Sequence, residues 1–232
     1  MTKTAAAIPI GNSKASKQDK APLAEASGNT NVMITAPNMR VAEFTIIGTA
    51  PLVINRFSHK ASEAMRAAQE AGGQSKSKKN REAKDFKALF EAACYKSEEG
   101  WYGVNAAAFR LAMIGACRLV NFKMTIAKLS VFVLEDGRDA IDATPLVRIH
   151  GKEPEMDVRP ARNDNGSFDL RPRPMWKDWT CKPRIQWDLD QFSLIDITNL
   201  MSRVGLQCGI GEGRASSKMS AGIGWGSFKV QS

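Results

Sequence analysis

The sequence predicts an α+β fold, and three observations carry the prediction. β-Branched and aromatic runs open and close the folded stretch, at Val41–Gly48 and Ile223–Val230. Between them, Phe86, Leu89, Phe90 and Ala93, and later Leu194, Ile197, Leu200, Met201 and Val204, recur at helical spacing. Strand and helix signals interleave along the 232 residues instead of forming separate blocks, which favours one mixed core.

Residues 1–38 are rich in Ala, Ser, Lys, Asn and Pro without periodicity. Such a segment cannot bury enough surface to offset its ordering entropy, so it reads as an N-terminal arm, disordered or ordered by a partner. Residues 39–232 read as a single domain. Its first strand runs from Val41 through Leu52–Ile54, and Pro51, lacking an N–H, predicts a bulge or an edge position there. Helical patterns follow at Ser58–Ala71 and Arg81–Tyr95, joined by a basic loop with Lys76, Lys78 and Lys79. Trp101–Val104 predicts a short strand, and Asn105 caps a helix reaching about Val120 whose alanines and glycine allow close packing on a sheet.

A strand is expected at Leu129–Leu134, ended by the turn Glu135–Gly137. Pro145–Pro183, dense in Pro, Arg and Trp, predicts long loops or a hairpin in place of packed core. Arg184–Leu189 alternates as a strand, Ser193–Leu206 forms an amphipathic helix, and Ile223–Val230 closes the chain as a strand. With insertions removed, at about 58–100 and 136–183, the order is strand, helix, strand, strand, helix, strand. That is the split β-α-β order of a ferredoxin-like (RRM-like) core.

Lys and Arg number 33 against 24 Asp and Glu, a net charge of +9. The excess favours a polyanionic partner, because cations that neutralise phosphates release condensed counterions; a merely basic protein is the plainer alternative. No apolar run approaches the roughly 20 residues of a membrane helix, and Ala5–Ile10 is too short for a signal-peptide core. A cytoplasmic protein without membrane partners is expected. Cys94, Cys117, Cys181 and Cys208 stand far apart, and His59 and His150 have no cysteine at ligand spacing. Neither metal, cofactor nor disulfide is expected.

The strongest local signal is Gly205–Gly226, with Gly211, Gly213, Arg214, Ser216, Ser217 and Lys218 at its centre. Glycine lets main-chain N–H groups approach an anion, and Arg, Lys and Ser add donors, so a phosphate cradle is expected. The same glycines also suit a hairpin that needs them only for turning. No Walker A pattern occurs there, and the loop follows a helix instead of opening one, which argues against nucleotide hydrolysis.

Gly209-Ile210-Gly211-Glu212-Gly213-Arg214 and Ala221-Gly222-Ile223-Gly224-Trp225-Gly226-Ser227-Phe228-Lys229-Val230 resemble the C-terminal glycine-rich signature of the RAMP superfamily. Ile46–Ile54 looks like the first strand of those proteins, and Val104–Arg110 lies where their first shared helix begins, though without the family's Pro-Gly-Ser-Ser-like turn. The resemblance implies a RAMP-type fold and a subunit binding a single strand, RNA of the crRNA type. It further implies copies of itself packed head to tail in a filament, and other subunits of a ribonucleoprotein complex as partners. A phage-type single-stranded DNA-binding protein is the alternative in the same fold; a structural protein without nucleic acid is the alternative outside it.

Candidate strand contacts outside the glycine segment are Arg56, His59 and Lys60 after the first strand, Lys76, Lys78 and Lys79 in the basic loop, Asn105 and Arg110 on the capped helix, and Arg173, Trp176 and Trp179 in a basic-aromatic stretch that also holds Arg171, Lys177, Lys182 and Arg184. The tryptophans equally suit buried anchors for a long loop. No catalytic constellation stands out, so no enzyme activity is expected. A metal-independent ribonuclease using His59 or His150 as base is the weaker reading, and Asp136, Asp139, Asp142 and Asp157 cannot be ranked for strand cleavage.

Overall fold

The computed structural model describes residues 34–57, 59–70, 84–162, 168–217 and 222–231. The chain divides into Met1–Ala36 and Pro37–Ser232, and every element below belongs to the second unit. The expected arm falls almost wholly outside the described residues, as do Lys76, Lys78, Lys79 and Lys218.

Strands β1 (Met39–Glu43), β2 (Ile46–Gly48) and β3 (Leu52–Val53) precede helices α1 (His59–Glu70) and α2 (Phe86–Ala93). After β4 (Tyr95–Lys96) and β5 (Tyr102–Asn105) comes α3 (Ala106–Ala116), extended by a 3-10 turn, and then α4 (Met124–Ser130). Strands β6 (Val131–Leu134), β7 (Gly137–Arg138), β8 (Pro145–Gly151), β9 (Glu155–Arg162), β10 (Phe168–Trp176), β11 (Trp179–Cys181) and β12 (Arg184–Asp188) follow. Helix α5 (Leu194–Arg203), a π-turn at Val204–Cys208 and β13 (Phe228–Val230) complete the chain. The protein is of mixed α+β class, built on antiparallel sheets.

The largest sheet runs β13–β2–β11–β8–β5–β4, with β7 also on β8; the others run β1–β12–β6 and β3–β10–β9. One register holds from Met39 opposite Asp188 to Ile47 opposite Thr180, so β1–β2 and β12–β11 form one long antiparallel pair. Pro183 offers no N–H at the break, and there its carbonyl accepts from Phe44 N at 3.0 Å. Leu52 opposite Trp176 is offset from that register by one residue, the extra residue lying between Gly48 and Leu52. This is the bulge expected at Pro51.

Helices α3 and α5 cover one face of the sheets. Phe109 and Met113 of α3 and Ile197 and Met201 of α5 bury against Ile46, Cys181, Ile149 and Phe228 in one continuous core. Each helix is started by its own sequence: Asn105 accepts from Ala107 N at 2.8 Å, and Ser193 and Asp196 form a reciprocal capping box.

Two expectations need correction. Pro145–Pro183 is mostly strand, with β8 and β11 inside the largest sheet. Its prolines are tolerated because Pro160 lies on a ribbon edge, β10 has only β9 beside it at Pro172, and at Pro174 the neighbouring Ile54 N donates to the proline's carbonyl and asks no N–H of it. The closing strand begins at Phe228, not Ile223, because Gly222, Gly224 and Gly226 take positive φ values that break an extended run. Among the described residues, no helix is long and apolar enough to cross a membrane.

Candidate nucleic-acid interface

The glycine-rich segment leaves the π-turn at Gly209 and lies against β3 and Trp225. Glu212 N donates to Val53 O at 2.8 Å, Ile210 N to Gly226 O at 3.1 Å, and Gly226 N to Pro51 O at 2.8 Å. Ser216 N and Ser217 N donate to Cys208 O and Arg214 O, and Ile223 N and Trp225 N to Gly213 O. These amides are spent on main-chain carbonyls. A Cβ on Gly211 would stand 2.4 Å from Val53 O, and one on Gly213 would stand 2.6 Å from the Trp225 ring. At Gly211 and Gly213 the absence of a side chain therefore permits close packing, and the amides bonded beside them are those of Ile210 and Glu212. The turning role that the sequence equally allowed is the one they fill. Arg214 folds back, its Nη1 donating to Gly211 O at 2.8 Å, and the Ser216 side chain is exposed.

Most of the remaining expected contacts are also engaged within the fold. Arg56, its side chain 3% exposed, pairs with Asp139 at 2.9 Å and Asp142 at 3.1 Å. Asp139 in turn accepts from the amides of Lys96, Ile141 and Asp142. Burial opposes ionisation of Asp142, yet its bonds from Thr144 and Arg56 win and hold its carboxyl down at about 2. Arg110 donates to Val131 O at 2.9 Å and Lys128 O at 2.6 Å, closing the C-terminal end of α4. Arg173 meets Glu212 at 2.7 Å and Asp157 at 3.6 Å, which ties the glycine loop to the β9–β10 ribbon. Arg173 and Arg159 both stand over the Trp225 ring, at 5.7 and 4.8 Å.

Trp176 and Trp179 are each 2% exposed, so base stacking on them is corrected to core anchoring. Trp179 donates to Ala50 O at 2.9 Å, and its indole occupies the space a Cβ at Gly48 would need. His59 and Lys60 open α1, with side chains outside the described set. Of the aspartates weighed for cleavage, Asp136 and Asp157 are also tied to arginines, to Arg184 at 3.5 Å and to Arg159 at 2.8 Å.

The register brings together a group of which the sequence reading held only Lys182 as a strand contact. Across the largest sheet Lys229 lies opposite Ile47, Ile47 opposite Thr180, and Thr180 opposite His150. Directly opposed residues share a face, and this row alternates with the core residues Phe228, Ile46, Cys181 and Ile149. It therefore faces away from α3 and α5. Two residues along, on the same face, stand Lys182 and Arg148, both exposed. Among the described residues, Lys182, Lys229 and Arg148 have no acidic partner within ion-pair distance. The signal was present as the polar phase of the alternation in 179–185, hidden because the segment's prolines and tryptophans suggested a loop. No protein-family profile matches the chain, and no curated protein matches it in sequence.

Proposed function

We propose that this protein is a non-catalytic subunit that binds single-stranded nucleic acid, RNA in preference to DNA, and assembles head to tail along the strand. One observation carries the reading: a set of acidic side chains is engaged in ion pairs within the chain while a set of exposed cations has none. Asp136, Asp139, Asp142, Asp157, Asp169, Glu135, Glu155 and Glu212 each pair with an arginine or lysine. Lys123, Lys128, Arg148, Lys152, Lys182 and Lys229 are exposed and have no ion pair among the described residues. Of the chain's +9, the described residues carry 24 Lys and Arg against 20 Asp and Glu, a net +4, and a basic surface of this kind attracts a phosphate polymer.

The strand order adds support. β13–β2–β11–β8 is antiparallel throughout, with α3 after the first strands and α5 between β12 and β13. We read this as a ferredoxin-like core of RAMP type. The head-to-tail reading draws on the β9–β10 ribbon, one face of which presents Phe168, Leu170, Val158 and Met156 in the open.

Fluorescence anisotropy with labelled single strands of one sequence, as RNA and as DNA, tests the proposal. The expected result is binding whose log affinity falls with log salt at a slope of about −0.7 per phosphate contact on either strand, with the tighter affinity for RNA. Affinity that does not change between about 50 and 200 mM salt, or no binding at all, contradicts it.

A further inference from the structure

We propose that the face of the largest sheet turned away from α3 and α5 is the strand-binding site. Lys182, Lys229 and Arg148 take its phosphates and Trp101 stacks a base. The inference rests on the nucleic-acid reading above and gives that reading a surface.

Trp101 precedes β5 and lies two residues before Gly103, which is opposite Arg148 on β8. It therefore shares the face of Arg148 and His150. Two glycines make room for its ring: a Cβ on Gly103 would meet the indole at 3.1 Å, and one on Gly137 would meet it at 2.8 Å. The ring thus lies across the sheet, half-buried, with the Arg148 guanidinium 5.7 Å from a ring centroid. Its Nε1 donates to Glu99 at 3.0 Å, which fixes its orientation. An indole held this way beside an arginine matches the platform on which single-strand binders stack bases irrespective of sequence.

The charges on this face favour an anion. Lys182, Lys229, Arg148 and Arg184 stand against Glu43, Glu99 and Asp136, four cations to three carboxylates, with Glu99 engaged by Trp101 Nε1. Asp136 is occupied: it accepts from Arg148 N at 2.9 Å and lies 3.5 Å from Arg184. Glu43 is directly opposite Arg184. Lys182, Lys229 and Arg148 are left to a ligand. From β13 to β5 the face crosses four strand spacings of about 4.8 Å, or about 19 Å. Even at the 3.4 Å rise of a stacked strand, that is room for about five nucleotides. Trp101 offers a single stacking platform at this end of the row, so the contacts are chiefly to phosphate and recognise the strand irrespective of its bases.

The test compares full-length wild type, the triple variant Arg148→Gln/Lys182→Gln/Lys229→Gln, and the helix-borne control Lys87→Gln/Arg203→Gln, using labelled single-stranded RNA and its DNA counterpart. Thermal melts establish that each is folded. Loss of three phosphate contacts lowers the salt slope by about 2 and affinity at low salt by at least about tenfold, while the control keeps the wild-type slope. Trp101→Ala weakens binding at least about fivefold and Trp101→Phe restores most of it. A triple variant that binds with the wild-type slope overturns the surface assignment alone. Wild type that fails to bind either strand overturns the proposed function, and the surface assignment with it.

Discussion

Gly226 and Gly224 show how differently two glycines of one loop are constrained. Both have positive φ, 67° and 79°, so a side chain at either costs about 1–2 kcal/mol of backbone strain. Around Gly224 nothing lies within 4 Å of a built Cβ, whereas at Gly226 that atom would stand 1.8 Å from Ile210 O. Gly224→Ala should therefore lose about 1 kcal/mol in urea unfolding, and Gly226→Ala more than about 3. Equal losses would contradict the packing described for the loop. The buried Arg56–Asp139 pair gives a second test: Arg56→Ala leaves Asp139, 1% exposed, without its cation and should cost about 3–5 kcal/mol. The thiols give a third. Burial pushes Cys94 from the ordinary 9.0 up to about 11, with Glu91 adding to the rise, and also raises Cys117, Cys181 and Cys208. The native state holds these protons more tightly than the unfolded chain, so their contribution is intact below about pH 9 and lost as pH climbs through about 11. Urea midpoints measured across that window should fall, and replacing Cys94 with Ser should flatten the fall. At this scale sequence was a poor guide: the glycines and arginines that suggested anion binding are mostly fixed by Val53 O, Asp139, Glu212 and Trp225, partners distant in the chain.

Elements were legible where a local signal fixes them. Asn105 and Ser193 announced α3 and α5 through their caps, and Pro51 announced the bulge before β3. Ser193→Ala, which removes the hydroxyl that accepts from Asp196 N and donates to its carboxylate while leaving the Ser193 N–H bond to that carboxylate, should cost about 1 kcal/mol and let the Asp196 carboxyl titrate closer to its usual range. The bonds from Ser193 are what hold that carboxyl below it. Helix α4 gave no such signal: Lys123 makes no side-chain cap bond, and the end of the helix is secured by Arg110 from α3. Strands β8 and β11 were obscured because proline and tryptophan imply loops locally, while the pairings that order them are with β5 and β2. Cross-strand pairing is a non-local property, and it also decides which side chains share the sheet face carrying Lys182, Lys229 and Arg148.

For the whole molecule, the decisive quantity is where the excess positive charge is displayed. Composition set its size and sign, and among the described residues arginines predominate in the pairs with aspartate and glutamate while lysines predominate among the exposed cations without an ion pair. Photo-cross-linking of the full-length protein to a 4-thiouridine-substituted single strand, followed by peptide mapping, tests the account most directly. Adducts should concentrate in 101–105, 146–152, 179–184 and 227–231, the segments that build the sheet face. Adducts confined to 209–217, or scattered evenly over the helices, would contradict it.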